Sequence, residues 1–278
     1  MNRLRWPGYS AIAGFLTVGL GCLVAVQTNG LWTQAPAHVP VAAQLISKAV
    51  EVAVPPIVQA AARVVTTPDA SYYEGLRRQM HWVETRLGGT VMKTPDLDSR
   101  MLLAKAAAER ARLADVGLSF RDVYGIINAE TSWIPRTGAS KDGTPNLGIA
   151  QFEPATAKAL GITNPNDPVE AVHAAALHMR DAALWSADRL AGLKLSAVDR
   201  AEKLREGVSV YYNLSTRGRS AWNGRNTERL PRETRRHIEN ARTGAQEAAW
   251  LDAQLEAAKY AHHDSRALAA AAPAARNL

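Results

Sequence analysis

From Pro95 onward the chain is a succession of helix-shaped segments, most carrying a start or stop signal, and this punctuation constrains the fold more than any other feature. Asp96 or Asp98 can cap a helix through "RMLLAKAAAERARLA", and Ser119 caps the next, "FRDVYGIINAE". A loop with glycine and proline leads to a helix near "PATAKALG", closed by Gly161. The long segment "PVEAVHAAALHMRDAALWSADRL" begins at Pro168, a residue favoured in a first turn. "REGVSVYYNL" and "LPRETRRHIENAR" supply two more helices, and no repeat period is evident. Alanine is abundant, phenylalanine occurs only three times, and alternating β-branched runs are few. The expected class is therefore all-α.

The flanks differ from this middle. "SYYEGLRRQMHWVETRLGG" spaces Tyr73, Leu76, Met80, Val83 and Leu87 three or four apart before a Gly-Gly stop, which predicts an amphipathic helix within residues 69–94. Residues 33–68 are rich in Ala, Val and Pro and read as a spacer, with Pro55 and Pro56 interrupting any helix. Before that, Arg3 and Arg5 precede the apolar residues 9–27, with no acidic residue in front. Residues 1–32 thus have the layout of a signal peptide or signal anchor, positive end in the cytoplasm. The apolar stretch is close to a bilayer span, while "APA" at 35–37 offers small residues for cleavage. The rest of the chain is expected to be periplasmic and anchored to the inner membrane by residues 9–27, or secreted if cleaved. After Gly244 the Ala-rich residues 244–278 read as a helical tail that frays.

The 278 residues suffice for one well-cored domain plus appendages, and 47% apolar with 21% charged content excludes wholesale disorder. The formal charge of +7 calls for an anionic partner: nucleic acid, anionic lipid, or a wall polymer with free carboxylates. Loss of residues 1–32 would remove only Arg3 and Arg5, so the basic surplus belongs to the exported part. Cys22 is the lone cysteine, which excludes an intrachain disulfide and a cysteine-based metal cluster. "HHD" at 262–264 stands in the Ala-rich tail without further ligands, so neither a metal nor a cofactor is expected. No phosphate-binding glycine loop is present, and no Ser-His-Asp set is legible.

One carboxylate stands where a charge is costly. In "INAETSWIPR", residues 127–136, and the Ile126 before it, Ile126 and Ile127 precede Glu130, and Trp133 and Ile134 follow it. A charged side chain among large apolar neighbours must pair, reach water, or keep its proton near neutral pH. The last option describes an acid able to protonate a poor leaving group such as a glycosidic oxygen. The plainer option is a solvated glutamate at a helix end.

"AETSW…P" (129–135), "LGIAQFEPATAKALGI" (147–162), "VSVYYNLSTRGRSAW" (208–222) and "LPRETRRHIENAR" (230–242) follow one another in an order that resembles the lytic transglycosylases of the soluble-type (SLT) family. The resemblance covers roughly residues 95–243. It implies a small, mostly helical lysozyme-like domain there, cleaving the N-acetylmuramic acid–N-acetylglucosamine β-1,4 bond of peptidoglycan. Its partners would be glycan strands and not nucleic acid. It further implies that Glu130 acts as acid and then as base, while the sugar's own 6-hydroxyl closes on the anomeric carbon. A 1,6-anhydro end results. Gln151 would hydrogen-bond substrate, and Gly148 would let the backbone approach the sugar. Ala150 departs from the family's Met. Tyr212 would hydrogen-bond the Glu130 carboxyl and Asn213 would face the sugar, although Leu214 and Ser215 replace the family's Ala-Gly. Thr131 stands where the family usually has Ser, with Ser132 as a second hydroxyl. Trp133 is open to sugar stacking or to core packing.

Two rival readings stay open. A lysozyme-type hydrolase would add a second carboxylate, for which Asp142 in "SKDGTPN" is available, although Asp-Gly reads first as a turn. Glu153, before Pro154, reads as a first-turn acid facing the helix dipole. A non-enzymatic wall-binding subunit of an envelope-spanning secretion or conjugation apparatus would use the cleft only to grip glycan. The joint presence of Glu130, Gln151 and Tyr212 argues against that. Eight arginines between Arg217 and Arg242 outnumber Glu228, Glu233 and Glu239, and form either an attractor of wall carboxylates or a solvated basic face.

Overall fold

Residues 70–140 and 142–271 are described by a computed structural model of the protein. The signal or anchor expected at 1–32 and the spacer expected at 33–68 lie outside the described residues. Helix α1 (Ala70–Gln79) leads into a hairpin of β1 (Trp82–Leu87) and β2 (Thr90–Pro95). There follow α2 (Leu97–Arg110), a 3-10 turn (Leu113–Val116) and α3 (Phe120–Thr131). A two-residue ladder of β3 (Gly138–Ala139) and β4 (Pro145–Asn146) precedes α4 (Pro154–Ala159) and the long α5 (Pro168–Leu190). Then come α6 (Ala197–Asn213), α7 (Thr216–Ser220), a 3-10 turn (Thr227–Arg229) and α8 (Arg232–Ala271). The architecture is mostly α with a few short strands, as a lysozyme-like domain requires.

Local chemistry sets most helix starts. Asp96 caps α2, accepting from the Ser99 N–H at 2.8 Å. Ser119 caps α3 in a reciprocal box, with Asp122 accepting from the Ser119 N–H at 2.8 Å. Asp167 caps α5 ahead of Pro168, and Ser196 caps α6. One apolar cluster unites the helices: Ile127, Trp133, Ile149, Val172, Met179, Leu190 and Trp222 are all buried in it. Fully burying side chains of this size contributes roughly 1.5–3 kcal/mol each. Leu76 from α1 and Leu251 from α8 belong to the same cluster, so packing extends beyond both ends of residues 95–243.

One expectation needs correction. The amphipathic helix expected within 69–94 stops at Gln79, and Val83 and Leu87 lie on β1 instead. Gly88, at φ +59°, and Gly89 form the turn of an antiparallel hairpin in which Leu87 pairs with Thr90 and Val83 with Thr94. Trp82, Val83, Thr85, Val91 and Thr94 suit a strand, so the helical spacing of Val83 and Leu87 is accidental. The helical tail expected after Gly244 is continuous with the helix before it, which runs from Arg232 through to Ala271. Gly244 lies at a close crossing with α3: a Cβ on it would stand 3.0 Å from the Cα of Gly125 and 2.7 Å from the Cβ of Asn128. Among the described residues, no helix is long and apolar enough to cross a membrane.

Candidate active site

Glu130 occupies the last turn of α3, and the way that helix ends decides its surroundings. Ser132 and Trp133 both take left-handed backbone, φ 53° and 64°, which turns the chain sharply inward. Trp133 becomes fully buried against Tyr124, ring centroids 5.0 Å apart. It therefore serves the core and not a sugar ring. Arg136 satisfies the open end of the helix, donating through Nη1 to the Thr131 carbonyl (2.7 Å) and through Nη2 to the Glu130 carbonyl (3.1 Å). Burial pulls the Arg136 guanidinium below its ordinary value, against the opposing pull of Glu130. The Glu130 side chain retains 16% exposure, so it borders solvent without being bathed in it.

The side chain that meets this carboxyl is His237, its Nε2 2.8 Å from Glu130 Oε1. His237 is only 6% exposed, and its Nδ1 is buried without a hydrogen-bond partner among the described residues. It sits in the second turn of α8, and the α3–α8 contact brings it in. That contact is the most extensive helix pairing in the fold. Its close approach requires glycine on α3, because a Cβ on Gly125 would stand 2.3 Å from the Ala241 carbonyl oxygen. Two hydrogen bonds pin the same crossing: Tyr124 Oη donates to Glu247 (2.8 Å) and Asn128 to the Asn240 carbonyl (3.3 Å). His237 lies within "LPRETRRHIENAR", where the resemblance assigns it no role. Thr234, His237, Ile238 and Gly244 are all buried at helical spacing, and that stripe was the available signal.

Tyr212 is brought to the site, but not as expected. Its ring lies nearly parallel to His237, centroids 6.4 Å apart at 18°. Its hydroxyl is buried and makes no hydrogen bond to Glu130 or any other described residue. Burial, and after it the charge of Glu130, push that hydroxyl well above the ordinary phenol value. Tyr212 therefore stays a neutral neighbour of the carboxyl, while His237 makes the bond assigned to it. Phe152 and His178 extend this wall, with ring centroids 6.2 and 5.2 Å from that of Tyr212. The His178 imidazole is pushed down to about 4, first by burial and then by Arg219, and so is neutral near pH 7. Asn213, next along α6, accepts from the Thr234 hydroxyl at 2.8 Å, which commits its carbonyl oxygen.

The remaining expected site residues shape the loop opposite α3. Thr131 is buried, and its hydroxyl donates to the Ile149 carbonyl (2.7 Å) and toward that of Ile127 (3.3 Å). It fastens the loop to the helix and is not turned to the cleft. Gln151, at φ 51°, donates through Nε2 to the carbonyls of Arg136 and Gly148, both at 2.8 Å. Its donors are thus spent on backbone, and only its oxygen can accept from a ligand. Gly148 has φ +70°, and a Cβ there would stand 2.0 Å from the Pro165 carbonyl oxygen. The need for glycine arises from this packing. Asp142 is fully exposed and accepts from the Thr144 N–H at 3.0 Å, a bond that holds its carboxyl below the ordinary range. It is a turn residue, as Asp-Gly suggested. Glu153 is the N-cap of α4, one place earlier than expected, and accepts from Ser140 Oγ at 3.0 Å.

Among the described residues, no group of His, Cys, Asp and Glu is arranged to hold a metal ion. The site can do proton chemistry: one carboxyl at the edge of solvent, one imidazole bonded to it, and an aromatic wall beside both. No protein-family model matches the chain. Over 71 residues, 26% of the chain, it is 38% identical to the "Transglycosylase" of Enterobacteria phage PRD1. The chain spans about a quarter of that relative's length, 26% of it, so the likeness to a transglycosylase-type protein is a partial one.

Proposed function

We propose that the protein is a peptidoglycan lytic transglycosylase in which Glu130 serves as acid and then as base. The observation that carries the reading is the placement of Glu130: a carboxyl at the border of solvent, with a nitrogen partner and not a second carboxylate. Its proton passes to the glycosidic oxygen, and the bond from that oxygen to the anomeric carbon of N-acetylmuramic acid breaks. The resulting carboxylate takes the proton of the same sugar's 6-hydroxyl as O6 bonds to that carbon. Proton count and electron count close, water is not consumed, and a 1,6-anhydro end remains. The partial likeness to the phage transglycosylase supports the reaction class. The engagement of Asp142 in its own turn favours this route over two-carboxylate hydrolysis.

Gln151 and Asn213 are the polar groups that would meet the glycan, Gln151 through its oxygen. The place of action would be the periplasmic face of the inner membrane, where the wall lies, with residues 9–27 as tether. Local wall opening for an envelope-spanning apparatus would be the use of such a tethered enzyme. The test is mass spectrometry of peptidoglycan digested by the full chain. Anhydromuropeptides are the expected product, and Asp142→Ala should leave the product and most of the turnover unchanged. Products with only reducing muramic ends would replace this reading by the hydrolase.

A further inference from the structure

The hydrogen bond between His237 and Glu130 can be formed in three ways, which differ in what they leave stranded at Nδ1. An imidazolium facing a carboxylate would leave an N–H at Nδ1, a site that is buried and has no acceptor among the described residues. A neutral ring protonated on Nδ1, accepting from the carboxylic acid, would strand the same N–H. A neutral ring protonated on Nε2 strands only a lone pair. Buried unpaired N–H groups are rarer than unsatisfied acceptors, because a bare donor has no second way to be satisfied. The imidazolium would in addition place a full charge on a ring that is only 6% exposed. Apart from Glu130 itself, the groups beside it offer no relief. Tyr212 stacks on the ring without bonding to it, and Arg136 adds a positive group at the same helix end.

We infer that His237 is neutral, keeps its proton on Nε2 and donates it to Oε1 of Glu130, so that the proton Glu130 transfers is carried on Oε2. His237 is thereby a positioning residue for the reaction proposed above, on which this assignment of its role rests. It fixes the rotation of the carboxyl and leaves a single oxygen to exchange protons with substrate. When Glu130 has given up its proton, the same N–H supports the carboxylate until O6 returns one. The ring therefore need not change its own protonation at any point of the cycle.

Histidine-selective ¹⁵N spectra of the full chain, with His237 assigned by its loss in His237→Gln, test the state directly. A protonated Nε2 and a bare Nδ1 near neutral pH are expected; a protonated Nδ1 would overturn the inference. Kinetics test the role. His237→Gln keeps a donor near the Nε2 position and should retain at least a third of kcat. His237→Phe should lose about 10- to 100-fold in kcat, the worth of one hydrogen bond to a charged group, at unchanged KM. Equal activity of His237→Phe and wild type would overturn the positioning role, as would a Gln variant no better than Phe. Should His237→Phe fail to fold, the spectrum and the Gln variant still decide. A wild-type chain inert on peptidoglycan would defeat the proposed function, whereas the spectrum would judge the hydrogen bond separately.

Discussion

Nε2 of His237 lies 2.8 Å from Oε1 of Glu130 although 107 positions separate the two residues. One helix carries the carboxyl on its last turn, the other carries the imidazole on its second, and two glycines let the helices close upon each other. The chemistry proposed for Glu130 depends on that crossing as much as on the glutamate.

Glu130→Gln retains the size and the hydrogen bonding of the side chain but removes the proton it would transfer. Turnover of peptidoglycan should fall by about 10²-fold or more, while co-sedimentation with intact sacculi persists. Normal turnover with the same products would end the assignment of Glu130.

Gly125→Ala should act at a distance. Its new methyl would collide with the Ala241 backbone, which cannot give as a flexible side chain would. We expect roughly 1–3 kcal/mol of destabilisation from overpacking. We also expect a fall in kcat larger than unfolding explains, because α8 carries His237 away from Glu130. Urea titration and kinetics at a temperature where the variant is folded separate the two effects.

Trp133→Ala distinguishes a core residue from a sugar platform. The indole is fully buried, so its loss should cost roughly 3–5 kcal/mol of stability. In chain that remains folded at low temperature, KM for peptidoglycan should be near that of wild type. A large rise in KM with little loss of stability would contradict the structure.

Acid should weaken the fold. Burial pushes the His173 imidazole down to about 4, and its Nδ1 lies within hydrogen-bond distance, 2.7 Å, of the Tyr73 hydroxyl, itself pushed up to about 12. His178 is likewise pushed down to about 4. An unfolded histidine takes up its proton near pH 6.5, so between pH 6.5 and 4 the unfolded chain binds more protons than the folded one. Stability is then full above about 6.5 and declines as pH falls toward 4, by at most about 3 kcal/mol for each ring. Urea midpoints measured across that range should drop, and His173→Gln should flatten part of the slope. A midpoint that rises on acidification would refute it.

The sequence by itself determined what neighbours along the chain decide. Asp96 and Ser119 cap helices because each reaches backbone N–H groups two or three residues away. The position of Glu130 at a helix end followed from the same local rules, as did the turn at Asp142. One local reading failed where a short pattern fits two structures. Val83 and Leu87 satisfy helical spacing, yet they are held by cross-strand pairing with Thr94 and Thr90. Only the tertiary structure decided which side chain meets the carboxyl. Tyr212 and His237 both approach Glu130, and the crossing of α3 with α8 gives the hydrogen bond to the imidazole and strands the phenol. The buried stripe of α8 can show which face packs, but not which residue 107 positions away it meets, because that is set by how closely two helices pack and not by spacing within either.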